Sequence, residues 1–218
     1  MDSERARQRW SLVVPVKRLT AAKSRLAAFA GPLRRDLALA VAADTVRAAV
    51  AVPQVGAVFA VTDDGAAAPV LLGLGARVVG GEPGTGLNTA LAHGAAHARA
   101  LRPGAGVCAL SADLPALRAD ELARVLDAAA AHPNAFLADT PGVGTTVYSA
   151  MPGAAFAPAF EGASRLRHRA RGAAEIGLDD VPTARRDVDT PDDLRAAAEL
   201  GVGPATARVL AELGLART

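Results

Sequence analysis

The stretch Val13-Val14-Pro15-Val16-Lys17-Arg18-Leu19, running on through Lys23-Ser24-Arg25-Leu26, decides how this chain is read. Its front, Trp10 to Val16, is apolar with no polar alternation. That is the pattern of a strand buried on both faces, as in a parallel sheet covered by helices on each side. Directly beyond it lies a turn that carries cations. The chain has 24 basic residues, and only Lys17 and Lys23 among them are lysine. Arginine offers a rigid planar fork, whereas lysine offers a compact point charge on a flexible stem, which suits the phosphates of a nucleotide. Two lysines on a loop past the first strand therefore mark a phosphate-binding candidate, with two solvated surface lysines as the plain alternative.

The rest of the chain extends the α/β pattern. At 218 residues it suits one domain, taken as residues 10–218 behind a disordered arm at 1–9. Apolar residues make up 51% of the chain but aromatics only 3%, so the core is expected to be thin layers of Val, Leu and Ala. Leu33 to Val50 reads as an amphipathic helix, with apolar positions at Leu33, Leu37, Val41 and Ala48. Strands are predicted at Val55–Thr62, Arg77–Val79, Gly106–Ser111, Ala135–Ala138 and Thr145–Ser149, with a further strand end at Arg185–Asp189. Helices are predicted at Ala66–Leu74, from Leu87 to about Leu101, at Asp120–Ala131, within 153–172, after the cap Thr190-Pro191, and from Pro204. Such alternation implies a three-layer αβα fold with a largely parallel sheet and helices on both faces. Ligands in such folds bind beyond the carboxyl ends of the strands, where Lys17, Asp63, Asp113 and Asp189 are expected to gather.

Several function classes recede. A net charge of +2 leaves no basic face for nucleic acid. Cys108 is the sole cysteine and sits in an apolar run, so it reads as a buried structural thiol. No long uncharged apolar run and no leader pattern are seen, and a cytoplasmic protein without a membrane span is expected. His93 and His97 lack the glutamate and third ligand of a zinc motif and read as solvent-facing.

Asp113 and Asp189 are the acids of interest. Two carboxylates facing a cationic loop suit Mg²⁺, which is held by one or two carboxylates plus substrate phosphates; Asp189 could equally serve as a cap. The loop Gly80–Gly86 reads as flexible, and Asn88 after it as a cap or a base-reading group. Arg165, His168 and Arg169 would share a helix face behind Ser164 and could receive a phosphorylated acid, or form a solvated face. Gly201-Val202-Gly203-Pro204 resembles a DNA-binding hairpin but reads as a joint between two helices.

Taken together, Val14 to Leu19, Lys23 to Leu26, Leu87-Asn88-Thr89-Ala90, Ala112-Asp113-Leu114-Pro115, Gly144-Thr145, Phe160…Ser164…Arg167-His168 and Asp187-Val188-Asp189-Thr190-Pro191 occur in an order that resembles the phosphoenolpyruvate or 2-phospho-L-lactate guanylyltransferases of coenzyme F-420 biosynthesis. The resemblance implies a nucleotide-diphospho-sugar transferase-like fold with a mixed, mostly parallel sheet, and GTP, a small phosphorylated carboxylic acid and Mg²⁺ as partners. It implies that Asp113 and Asp189 bind the metal, and that Lys17, Lys23 and Arg25 take the triphosphate. Asn88 is placed with the nucleotide, and Thr145, Glu161, Gly162 and Ser164 with the acceptor acid. Lys17, Lys23 and Asp113 are the residues expected to act in catalysis. The family has glycine after the phenylalanine, where this chain has Glu161. Two other readings stay open: a nucleotidyltransferase acting on a sugar phosphate or molybdopterin-type acceptor, and a non-enzymatic nucleotide- or DNA-binding accessory protein. A homodimer also stays open.

Overall fold

A computed structural model describes residues 9–215. The arm predicted at 1–9 lies outside them except for Arg9, which is held: its carbonyl accepts the Gly106 N–H at 2.8 Å. Seven strands form one sheet: β1 (Trp10–Pro15), β2 (Val55–Val61), β3 (Arg77–Val79), β4 (Gly106–Leu110), β5 (Asn134–Ala138), β6 (Thr145–Ala150) and β7 (Ala174–Glu175). Their order is β3-β2-β1-β4-β6-β5-β7. All neighbouring pairs are parallel except those of β6, which runs antiparallel to β4 and β5. Seven helices of two turns or more accompany it: α1 (Arg34–Val50), α2 (Ala67–Gly73), α3 (Leu87–Leu101), α4 (Ala119–Ala129), α5 (Ser164–Ala170), α6 (Pro191–Leu200) and α7 (Pro204–Glu212). The mixed, mostly parallel sheet with helices on both faces is the architecture expected from the sequence.

Alternate residues of the continuous apolar strands feed two cores. Leu12, Val14, Val58, Cys108 and Leu110 face α1, α2 and α4, while Val13, Phe59, Val107 and Ala109 face α3. The chain passes from β1 by α1 to β2 on one side, and from β3 by α3 to β4 on the other. The strand order thus reverses between β1 and β4, and a crevice opens past their carboxyl ends.

Two expectations need correction. The helix α1 is not amphipathic. Its alanines Ala38, Ala42 and Ala49 pack on the sheet with Val46, while Leu37, Ala40 and Val41 meet Leu194, Ala197, Val209 and Leu210 of α6 and α7. The C-terminal helices cover the face that would otherwise be wet. Asp44, expected on a polar face, is buried there and accepts the Ala205 and Thr206 N–H groups at 3.1 and 2.7 Å, satisfying the open end of α7. The hairpin Gly201–Pro204 is therefore a helix joint, fixed by the Gly203 N–H on the Pro115 carbonyl at 2.8 Å.

The second correction concerns Arg185–Asp189, where no strand forms. Pro182–Arg185 is a single helical turn, because the buried Glu121 carboxylate accepts the Thr183 and Ala184 N–H groups at 2.8 and 3.3 Å. The next free backbone donor, Val188 N–H, reaches the Asp113 carbonyl at 3.0 Å. The cationic loop also holds structure that its sequence did not announce: three short helical turns span Ser24–Leu33.

Gly94 explains why α3 can lie close on the sheet. A Cβ there would stand 2.5 Å from Val61 and 2.6 Å from Val13, both side chains of buried strands. Gly94→Ala is expected to lower stability by about 1–2 kcal/mol, because overpacking outweighs the helix-propensity gain of the added methyl. Denaturant unfolding midpoints of the two proteins measure this.

Candidate active site

The crevice beyond β1 and β4 is a cleft of about 260 Å³, bordered by Lys17, Lys23, Arg25, Asp113 and Asp189. Its floor is built by a few short-range constraints. Thr45, fully buried on α1, accepts the Leu114 N–H at 3.0 Å, and its hydroxyl lies 3.2 Å from the Ala112 carbonyl. That one side chain holds the backbone on both sides of Asp113. Val188 then ties the Asp189 segment to Asp113 itself. Asp189 is not merely a cap. The cap of α6 is made by Thr190 and Asp193 in a reciprocal capping box, which leaves the Asp189 carboxylate free to face the cleft.

Both carboxylates converge on one ammonium. Lys23 Nζ lies 2.8 Å from Asp113 Oδ2 and 3.3 Å from Asp189 Oδ1, and donates to the Val188 carbonyl. Burial alone would lower the Lys23 pKa, but Asp113 and then Asp189 outweigh it and the value lies above the ordinary one. Arg25 approaches the other side of Asp189 at 3.7 Å, while Lys17 is exposed at the cleft mouth. A third carboxyl was missed from the sequence. Asp187, between strand and helix signals, is pushed up to about 7 by burial, then by Asp113, Asp139 and Asp189. Hard oxygen donors crowded around a single positive charge are the donor set that Mg²⁺ prefers.

The residues that the resemblance assigns to the acceptor acid fall in a second group, with Thr145 and Ser164 buried in it. Ser164 Oγ and Thr145 Oγ1 lie 3.1 Å apart, and Thr145 Oγ1 lies 3.1 Å from His168 Nδ1. The Ala159 N–H donates to His168 Nε2 at 2.9 Å, so the neutral ring carries its proton on Nδ1 and donates to Thr145. Asn88 bonds both backbone groups of Phe160, at 2.8 and 3.1 Å, so its amide positions the 160–164 loop. Thr145 and Ser164 support that loop from below, and neither lines the clefts at its surface. Glu161 does line a second cleft, with Lys17, Glu82 and Gly86. Glu161 has φ 82° and Gly162 φ 51°, so the chain adopts at 161 the left-handed conformation that glycine favours.

Other expectations fall away. The arginine cluster on α5 is not an open anion receptor, since Arg165 and Arg169 both pair with Glu175 at 2.9 and 2.8 Å, and His168 is fully buried. The loop Gly80–Gly86 is tied at its base: Asp63 accepts the Gly81 N–H at 2.7 Å and His93 Nε2 lies 3.0 Å from the Gly80 carbonyl. Asp63 thus serves that loop and does not join the carboxylates past β4. Among the described residues, no helix is long and apolar enough to cross a membrane.

A seven-stranded mixed sheet, with a cation-bordered cleft at its switch point and paired carboxylates beside it, is the architecture of nucleotidyltransferases of the nucleotide-diphospho-sugar transferase type. Fold comparison agrees: a protein from Desulfovibrio desulfuricans described as a nucleotide-diphospho-sugar transferase superposes with a TM-score of 0.66 at 15% identity, covering 97% of this chain and 100% of that one. The profile of the family described as "Guanylyl transferase CofC like" matches residues 10–216, and the chain belongs to that family. It is 60% identical over 204 residues to the phosphoenolpyruvate guanylyltransferase of Thermomonospora curvata, covering 94% of this chain and 90% of that protein. It is 59% identical over 208 residues to the phosphoenolpyruvate guanylyltransferase of Streptomyces coelicolor, covering 95% and 98% respectively.

His168 gives the loop that precedes α5 a pH signature. Burial first, then Arg171 and Arg167, lower its pKa from 6.5 to about 4. The unfolded chain therefore binds a proton between these values that the folded chain refuses, and stability rises with pH through that window. The contribution is fully present above pH 6.5 and is lost as pH falls toward 4, by roughly 3 kcal/mol at full effect. His168→Gln is expected to flatten this loss. Unfolding free energies measured at pH 7 and pH 4.5 for both proteins check it.

Proposed function

We propose that this protein joins the GMP moiety of GTP to phosphoenolpyruvate with release of pyrophosphate, as a step of coenzyme F-420 biosynthesis. The observation that carries the reading is the convergence of Asp113 and Asp189 on one cation at the switch-point cleft, flanked by Lys17 and Arg25. The relatives named for this activity support the choice of nucleotide and acceptor. A phosphate oxygen of the acceptor attacks the α-phosphorus of GTP, the bond to the β-phosphate breaks, and pyrophosphate leaves. Three polyanionic groups must meet, so the protein's task is to position them and neutralise their charge.

Lys17 and Arg25 sit on the exposed rim of the cleft and receive the triphosphate. Asp113 and Asp189, steadied by Thr45 and Val188, would hold Mg²⁺ there. When bound, Mg²⁺ supplies charge neutralisation to the triphosphate and to the departing pyrophosphate. The loop from Phe160 to Ser164 takes the acceptor. Asn88, Thr145, Ser164 and His168 set its shape, and Glu161 and Gly162 present its backbone. With GTP as substrate, the reading goes with a cytoplasmic location.

Pyrophosphate release tests the reading directly. GTP with phosphoenolpyruvate is expected to yield it, with 2-phospho-L-lactate as the second acceptor to try. Release with a sugar phosphate but with neither phospho-acid would overturn the assignment. Asp113→Asn, which keeps the shape and removes the charge, is expected to cut kcat by at least about a hundredfold with the fold intact by circular dichroism. Lys17→Arg is expected to raise KM for GTP several-fold, because a planar fork replaces a point charge at the cleft mouth. Steady-state kinetics of both variants decide these two outcomes.

A further inference from the structure

We propose that Lys23 is an internal occupant of the metal seat and that it makes nucleotide and divalent cation bind as a coupled pair. The inference rests on the reading above, in which Asp113 and Asp189 hold Mg²⁺.

The geometry is that of a filled site. An ammonium has three N–H donors, and those of Lys23 face three oxygens: Asp113 Oδ2 at 2.8 Å, Asp189 Oδ1 at 3.3 Å and the Val188 carbonyl. The side chain is only 11% exposed, although it lies at the end of a cleft open to solvent. One oxygen of each carboxylate, at the point between them where a divalent cation would sit, is thus already engaged by a monovalent one. Both cannot sit at the same point, so metal entry requires Lys23 to leave.

Leaving is costly without a new partner. A desolvated ammonium that gives up two carboxylates and a carbonyl must find other oxygens or return to water. A triphosphate in the adjoining cleft provides them, and Lys23 borders that cleft. Its four-carbon stem is free to swing without moving the sheet, because the residue lies on the loop that precedes the helical turn Ser24–Leu26. Lys23 has φ 52°, one of two non-glycine residues with positive φ among those described.

The consequence is thermodynamic. In the free protein Lys23 competes with the divalent cation. Once the triphosphate holds Lys23, the seat opens, and each ligand tightens the other by the same factor. Free metal then binds poorly without nucleotide, and the carboxylates never stand unpaired.

The test uses Mn²⁺ as the probe, with free Mn²⁺ measured by electron paramagnetic resonance on the full chain. Lys23→Met keeps the length of the side chain and removes its charge. It is expected to bind Mn²⁺ about tenfold more tightly than wild type in the absence of nucleotide, within the ~5–150-fold range of such couplings. Asp113→Asn added to Lys23→Met is expected to remove that gain. In wild type, the α,β-methylene analogue of GTP is expected to tighten Mn²⁺ binding, and in Lys23→Met to do so much less.

Equal Mn²⁺ affinity in wild type and Lys23→Met, abolished in both by Asp113→Asn, would overturn the coupling while leaving the metal reading intact. Weaker binding in Lys23→Met would overturn it too, making Lys23 a support for the carboxylates. Absence of Mn²⁺ binding in every variant, with or without the analogue, would remove the metal reading and the coupling together.

A measurement on wild type stands apart from any folding defect in the variant. The chain has two lysines, so ¹³Cε-lysine labelling gives two resonances, assigned through Lys17→Arg. The Lys23 resonance is expected to move with Mg²⁺ plus the analogue and to stay in place with Mg²⁺ alone. Movement with Mg²⁺ alone, or none under either condition, would refute the coupling.

Discussion

Two carboxylates from distant parts of the chain, held at one ammonium, are the constraint on which the site depends. Asp113 and Asp189 repel each other, and Asp187 nearby is pushed toward neutrality by burial first and then by the charges of Asp113, Asp139 and Asp189. The arrangement persists because backbone bonds enforce it. Val188 donates to Asp113, and Thr45 brackets the turn that carries it. The protein thereby holds a concentration of negative charge at the carboxyl edge of a sheet, where cations and polyphosphates can meet.

Behind that edge stands α1, which links the site to the far side of the molecule. Alanines on one side let the helix lie close to the strands, while Leu37 and Val41 on the other are gripped by α6 and α7. Adjacent residues then look in different directions. Asp44 caps α7, and Thr45 holds the Asp113 turn. Packing of the C-terminal helices and placement of the active carboxylate are consequences of the same helix orientation. An alanine-rich, aromatic-poor composition is what makes such close layering feasible, since small side chains leave no gaps when backbones approach.

The parts of this structure that follow from periodicity were legible in the sequence. Trp10–Val16 and Val55–Thr62 announced buried strands, Thr190-Pro191 with Asp193 announced a helix start, and their alternation announced the sheet. The pairing of Lys23 with Asp113 and Asp189 could be approached only as a shared sheet edge, because chain order carries no distances. Partnerships that replace a local propensity were harder to read. Arg185–Val188 resembles a strand until Glu121, remote in sequence, takes the amides of Thr183 and Ala184 just before it and a helical turn forms there. The α5 arginines resemble an anion site until Glu175 claims two of them. Thr45 and Asp187 carried no local signal, since a buried threonine in a helix and an acid in a loop are ordinary on their own. His168, read as part of a helix face that either receives a phosphorylated acid or is solvated, proved to be the buried post of a loop, a role set by the aromatic rings of Phe136, Tyr148 and Phe160 around it.

The separation between the partners at the seat has one more consequence. Lys23 and Asp189 stand 166 residues apart in the chain. On a ribosome, the strand that carries the cationic loop emerges well before the segment that carries the second carboxylate. Local helices and the first strand pairs can form during translation, but long-range contacts must wait for their partners. A nascent or truncated chain therefore exposes a lysine-bearing loop without its counter-charges, and cannot assemble a working site around a nucleotide. Competence at this edge arrives only once the segment carrying Asp189 has been made and has packed beside the Asp113 turn.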